Sequence, residues 1–396
     1  MGLRTDTLTA RWIIPVDRPP LAHGVITVHD GRIVAVEPHR RAAGATDLGH
    51  CALLPGQVNA HTHLDLTGLR GRVAPGADFV AWLRAVVQHR RSRTPEAVQN
   101  DIRNGIAESI AHGTTLLGDI SACGASWQAL SESNLRAVVF HELLGLPRDR
   151  ARDAWQAVTN WIEQHPPTPT CRPGLSPHAP YSVRRSLMDL AVREARDNFR
   201  PLAIHVAETR AEQELLEHHR GPFVDFLTEL GVWDPEGLLP SFDEVIALCR
   251  QARTALLIHA NYLRPQQLAP GATVVYCPRT HAAFGHEPYP LAEFRATGAR
   301  IALGTDSLAS NPDLSVLEEA RFVHRHFPAL PPHEVLRMAT LNGAEALGWS
   351  EITGSLTPGK AADMVIVPLP EEMGDPCEQV LVGKTSAQSW SGERGA

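Results

Sequence analysis

Leu53-Leu54-Pro55-Gly56-Gln57-Val58-Asn59-Ala60-His61-Thr62-His63 divides the chain into two kinds of pattern. Before it come short strand-like runs: Thr7-Leu-Thr-Ala, Trp12-Ile-Ile-Pro-Val, Gly24-Val-Ile-Thr-Val and Arg32-Ile-Val-Ala-Val. Asp30-Gly31, between the last two, predicts a hairpin turn. After it, short apolar runs alternate with helix-length segments, the pattern of repeated βα units around a parallel sheet. The predicted strands are residues 56–60, 114–120, 136–142, 172–176, 202–206, 255–259, 273–276 and 300–304. Eight such strands close a (β/α)8 barrel.

Helical periodicity fills the gaps. Over 78–90, Phe79, Trp82, Leu83, Val86 and Val87 share one face, and over 95–112 Ile102, Ile106 and Ile110 do the same. Such stripes pack outer helices onto strands. From Gly354 to Val367 the text returns to turns and strand. The expected organisation is an α/β chain: 1–54 as the first part of a small β unit, 55–350 as the barrel, and 351–396 as the second part of that unit. The 396 residues leave room for this, since a barrel alone takes about 250.

Charge narrows the partners. With 37 basic and 44 acidic side chains the chain is mildly acidic, so neither nucleic acid nor an anionic membrane is expected, and a small molecule is. Lys360 and Lys384 are the only lysines, which removes lysine chemistry from the first 359 residues. Six scattered cysteines form no C-x-x-C pair, against a zinc ribbon or a disulfide framework. Arg4, Asp6, Arg11 and Asp17 interrupt any apolar secretory core near the amino terminus. No run approaches the 18 or so apolar residues of a spanning helix. A cytoplasmic location is the expectation, and a homodimer is compatible with all of this.

The twenty histidines speak only through position. His61 and His63 follow the first barrel strand, and alternate residues of an extended chain point to one side. His205 ends Leu-Ala-Ile, His259 ends Leu-Leu-Ile, and Asp306 follows Ile301-Ala-Leu-Gly-Thr. Each is a polar residue at the carboxyl end of an apolar strand, where barrels place their active sites. By contrast, His324 and His326 read as an ordinary H-x-H pair. Nitrogen and oxygen donors without thiolate suit Zn2+, or Fe2+, with a position left open for water.

These residues resemble the amidohydrolase superfamily, and within it the deaminases of the adenosine, methylthioadenosine/S-adenosylhomocysteine and aminodeoxyfutalosine type. The resemblance rests on Pro55-Gly56-Gln-Val-Asn59-Ala-His61-Thr-His63, Ser176-Pro-His178-Ala-Pro-Tyr181-Ser182, His205-Val-Ala-Glu208, His259-Ala, Gly304-Thr305-Asp306-Ser307 and Gly354-Ser-Leu-x-x-Gly359-Lys360-x-Ala-Asp363. It implies a distorted barrel flanked by a β-sandwich built from both termini. Two-metal members bridge their ions with a lysine of the fourth strand, absent here. One divalent ion held by His61, His63, His205 and Asp306 is therefore implied. The resemblance further implies hydrolytic deamination, a reaction at a C–N bond of a cyclic amidine. Asp306 would take a proton from water, His259 would orient that water, and Glu208 would carry a proton to the ring nitrogen. The alternative for Glu208 is a carboxylate placed near a helix start by the amino-terminal dipole.

The same resemblance places His178 beside the substrate ring or ribose. Phe79 and Trp82 read either as a cover for an aromatic ring or as core. Cys277-Pro278-Arg279-Thr280-His281 departs from the family, which has small polar residues after Cys-Pro. An arginine there suits a substrate carboxylate, and Arg148 is a second candidate. The expected substrate is nucleoside-like: 6-amino-6-deoxyfutalosine, or S-adenosylhomocysteine and methylthioadenosine. The alternatives are another aminated or chlorinated heterocycle (guanine, cytosine, a triazine) and, more remotely, a metal-binding homologue without catalysis. The thiolate-zinc base deaminases are excluded, since their H-x-E and P-C-x-x-C are missing.

Overall fold

A computed structural model describes residues 5–38, 44–76, 78–371 and 374–390. The ends of the expected β unit, 1–4 and 391–396, lie outside the described residues. The chain forms two compact units, one from Met1–Asn59, Ala107–Leu116 and Ser315–Ala396, the other from Ala60–Ile106 and Leu117–Leu314.

The first unit holds two sheets. Its amino-terminal strands are β1 (Thr5–Thr9), β2 (Trp12–Ile13), β3 (Leu21–Ala22), β4 (Val25–His29), β5 (Arg32–Glu37), β6 (Thr46–Asp47) and β7 (Cys51–Pro55). One sheet runs β5-β4-β1-β6. Asp30 and Gly31 both adopt positive φ, 46° and 72°, and join β4 to β5 as the Asp-Gly pair predicts. The other sheet takes β7, β2 and β3 and adds strands from the far end of the chain, Met364–Pro368 and Gln388–Ser389. Leu8, Ile26 and Ile33 of the first sheet share a buried core with Ile13, Leu53 and Met364 of the second, so both termini build one sandwich. The predicted strand from Trp12 to Val16 is shorter than expected. Pro15 has no N–H to donate and Val16 sits at φ 77°, which turns the chain out of the sheet.

The barrel strands come next: β8 (Gln57–Thr62), β9 (Thr114–Ser121), β10 (Arg136–Leu143), β11 (Cys171–Pro177), β12 (Leu202–Val206), β13 (Ala255–His259), β14 (Thr273–Tyr276) and β15 (Arg300–Leu303). They pair in sequence order in an eight-stranded sheet, and a parallel bridge between Thr62 and Asp306 brings its first and last strands together. This makes a nearly closed, distorted barrel. The strands are buried almost throughout, as expected where helices cover the outer face. Two helices connect β8 to β9: α1 (Phe79–Ser92), capped by Asp78 accepting from Ala81 N at 2.9 Å, and α2 (Pro95–Ala111). Among the described residues no helix is long and apolar enough to cross a membrane.

Candidate active site

Closure of the barrel sets the site. Thr305 N and Asp306 N both donate to His61 O at 3.1 Å, and Thr62 Oγ1 donates to Asp306 O at 3.0 Å. Gly304 permits this approach, because a Cβ there would stand 2.8 Å from His61 Cβ. The ends of β8 and β15 are thereby locked, and with them three of the candidate residues.

His61, His63 and His205 are buried and each offers a ring nitrogen, all within 4.8 Å of one another. His205 Nδ1 donates to His178 O at 2.9 Å, which fixes its tautomer and leaves Nε2 as a lone pair. That nitrogen lies 3.3 Å from His63 Nε2. Burial is the main reason that His63, His205 and His259 all sit well below the usual imidazole range, so they are neutral donors. Asp306 Oδ1 stands 3.4 Å from His61 Nε2 and 3.7 Å from His63 Nε2. Burial works against its charge, but the hydrogen bond from His61 and the nearby imidazoles outweigh it and hold the carboxyl down at about 2. Neutral imidazoles grouped around a carboxylate are a donor set that fits one divalent cation.

Opposite Asp306, Glu208 Oε1 lies 3.3 Å from His259 Nε2. Burial raises its carboxyl well above the ordinary range, and Asp306 and Glu212 add to the effect, which favours the protonated form. Its backbone is held from behind: Glu208 N donates to Glu212 Oε2 at 2.8 Å, and Asn261 Nδ2 donates to Glu208 O at 3.0 Å. Thr209 caps the following helix Arg210–His218 through Glu212 N. The strand ends are bent to aim these groups: Ala207, His259, Ala260 and Asp306 all have φ between 53° and 65°. For non-glycine residues this left-handed region costs on the order of 1 kcal/mol or more each.

A cavity opens over this cluster, lined by His63, His205, Glu208, His259 and Asp306 together with Phe79 and Trp82. The two aromatics face the cavity, and Trp82 Nε1 donates to Ala309 O at 3.2 Å. His178 is at the same wall. The arginines fall elsewhere. Arg279 pairs with Asp313 through two contacts, 2.7 and 3.1 Å, and lines neither this cavity nor the one beside it. Arg148 starts the helix Arg148–Gln164 and lines a separate surface cavity with Arg152 and Trp155.

Sequence reasoning missed Arg90, Asp65 and Glu142. Arg90 Nε and Nη2 reach Asp65 at 3.0 and 3.3 Å while Nη1 reaches Glu142 Oε2 at 3.0 Å, and both Arg90 and Glu142 line the cavity. Glu142 lies one residue before the end of β10, just past its apolar run, so the rule that picked out His205 and Asp306 also applies to it. Arg90 continues the stripe of α1 one turn past Val86, where an apolar residue would be expected.

Barrel, strand-end cluster and cation-binding donor set define a (β/α)8 protein of the metal-site class. The profile of the amidohydrolase family matches residues 52–388, and the chain belongs to that family. A 5-methylthioadenosine/S-adenosylhomocysteine deaminase of Moorella thermoacetica is 30% identical over 377 residues, 90% of this chain and 83% of that protein. An aminodeoxyfutalosine deaminase of Nitratiruptor is 30% identical over 331 residues, 81% of this chain and 79% of that one. Helicobacter pylori aminofutalosine deaminase, solved with methylthio-coformycin, has a TM-score of 0.83 at 23% identity, covering 96% of this chain and 97% of that one. At that identity the likeness is one of fold.

Proposed function

We propose that this chain is a mononuclear, metal-dependent deaminase that releases ammonia from the 6-amino group of an adenine nucleoside, with 6-amino-6-deoxyfutalosine as first choice and S-adenosylhomocysteine or methylthioadenosine as second. The observation that carries the reading is one cavity faced by two carboxyl groups, Glu208 3.3 Å from His259 and Asp306 3.4 Å from His61, with burial raising the pKa of the first and the imidazoles lowering that of the second. Two carboxyls with their pKa values driven apart mark an acid and a base. The names of the relatives support the same chemistry.

His61, His63, His205 and Asp306 would hold the ion, zinc by the character of the donors. When bound, a divalent ion there supplies a Lewis acid that brings the acidity of water close to neutral. Asp306 takes one proton from water as the oxygen bonds to C6 of the ring, and Glu208 delivers its proton to N1. His259 orients the attacking oxygen. The proton on Asp306 then passes to the amino group, the C6–N bond breaks and ammonia leaves. The new hydroxyl returns its proton to Glu208, so both carboxyls end as they began.

A second cavity of about 390 Å3 adjoins the first at His178 and Glu142 and is walled by Leu83, Val86, Leu144, Phe226, Leu230 and Val232. It supports a substrate with an apolar extension on its sugar, and Arg91 and Arg150 at its edge suit an anionic end. The test is metal analysis followed by ammonia release from adenosine, methylthioadenosine, S-adenosylhomocysteine, aminodeoxyfutalosine, guanine, cytosine and chlorotriazines. One ion per chain with turnover of a tailed adenine nucleoside is expected. Two ions per chain, or chloride release alone, would overturn the reading.

A further inference from the structure

We propose that Glu142 selects for the sugar of the substrate, its Oε1 accepting a hydrogen bond from one ribose hydroxyl while His178 Nε2 accepts from the neighbouring one. The inference rests on the deaminase reading and assigns a role to a residue outside the reacting cluster.

Glu142 is a buried carboxyl with one oxygen engaged. Its side chain is 3% exposed, and Oε2 accepts from Arg90 Nη1 at 3.0 Å. Arg90 is in turn gripped by both oxygens of Asp65, so the guanidinium is fixed and holds Glu142 by one edge only. Oε1 is buried, has no hydrogen-bond partner among the described residues, and belongs to a residue that lines both cavities where they meet. A buried acceptor left without a donor is costly, because it has given up its hydrogen bond to water. Its position toward a substrate cavity makes a ligand donor the natural partner.

His178 supplies the second half. Its Nε2 lies 3.9 Å from Glu142 Oε1, too far for a direct hydrogen bond. Ser182 Oγ donates to Ala179 O at 3.1 Å, and the same oxygen lies 2.7 Å from His178 Nδ1. With the serine hydrogen on the carbonyl, Nδ1 is the protonated nitrogen and Nε2 is a lone pair. Two acceptors a few ångströms apart, facing one cavity, match a ligand with two adjacent O–H donors. A ribose cis-diol has that form, and it lies between the base, which must reach Glu208, and any 5′ extension, which would enter the apolar cavity.

The test compares kcat/KM for ammonia release from one adenine ribonucleoside and its 2′-deoxy and 3′-deoxy analogues, in the wild type and in Glu142→Leu and Glu142→Gln. The wild type should favour the ribonucleoside by about 10- to 100-fold over at least one deoxy analogue, mostly through KM. In Glu142→Leu that ratio should fall to within about threefold. Glu142→Gln, which keeps shape and an amide oxygen, should give an intermediate ratio and stands in if the leucine variant fails to fold. A merely structural role would lower all three substrates together and leave the ratio untouched. Wild-type turnover without preference for either hydroxyl, or a ratio unchanged in the variants, overturns the assignment and leaves deamination standing. Absence of ammonia from every nucleoside overturns the deaminase reading and this inference with it.

Discussion

The strand-end cluster and the apolar cavity beside it hold their polar groups by different means. In the cluster, backbone does the holding. His205 is turned by His178 O, His61 O receives two N–H groups, and residues with positive φ aim the side chains. In the adjoining cavity Arg90 is held by side chains, between Asp65 and Glu142, and leucine, valine and phenylalanine side chains make up much of the remaining wall. On the proposed reading the reacting groups are positioned by backbone at the strand ends, and the groups that choose among substrates by the side-chain contacts of Arg90 on α1 with Asp65 and with Glu142 on β10. A change in the cluster should affect every substrate alike, whereas a change in the cavity should alter the ranking of substrates.

The largest expected effect breaks or secures the first half of that contrast. Glu208→Gln removes the proton that N1 needs but keeps the size of the side chain. It should lower kcat by about 10²- to 10⁴-fold for every nucleoside turned over, with the metal content per chain unchanged. Loss confined to one substrate would move Glu208 from the reaction to recognition.

A second effect concerns what the cluster costs the fold. Glu212, behind Glu208, is pushed up to about 8 by burial, against the hydrogen bonds it accepts from backbone N–H groups. Its ordinary value is 4.5. Between these two values the folded chain keeps a proton that the unfolded chain has released, so stability falls as pH rises and the loss is complete above the folded pKa. Each unit is worth about 1.4 kcal/mol at most. Denaturant unfolding of the wild type between pH 5.5 and 8.5 should show a decline that is shallower in Glu212→Gln by roughly 2–3 kcal/mol over the range. Parallel curves would show that Glu212 is ionised when buried.

How much of this can be read from one sequence depends on the same contrast. The eight barrel strands fall within two residues of their predicted limits because each is an apolar run followed by a turn, and His61, His63, His205, His259 and Asp306 stand out as polar residues at the ends of such runs. Arg90 does not stand out. A helix arginine turned to water and one turned to two carboxyls look identical when Asp65 lies 25 positions before it and Glu142 lies 52 after. Arg279 shows the converse. Its place after Cys277-Pro278 invites a role at the barrel mouth, but Asp313, 34 positions on, engages both terminal nitrogens of its guanidinium. Ion-pair partners are tertiary facts, and neither periodicity nor strand position encodes them.

The smallest expected effect tests the second half of the contrast with little disturbance of the fold. Leu144, at the end of the Glu142-Leu143-Leu144 run, is 50% exposed although it lines the apolar cavity. An exposed leucine contributes little to folding, so Leu144→Asp should change stability by about 0.5 kcal/mol or less. The same change puts a carboxylate at the cavity wall and removes apolar contact from whatever extends into it. Nucleosides with an apolar or anionic 5′ extension should lose about fivefold in kcat/KM, on the order of 1 kcal/mol, mainly in KM. Adenosine, whose sugar ends before the cavity, should stay within about twofold. An equal loss for adenosine and for the tailed nucleosides would mean that the cavity does not receive the extension. Substrate choice would then have to reside in the inner cluster with the chemistry.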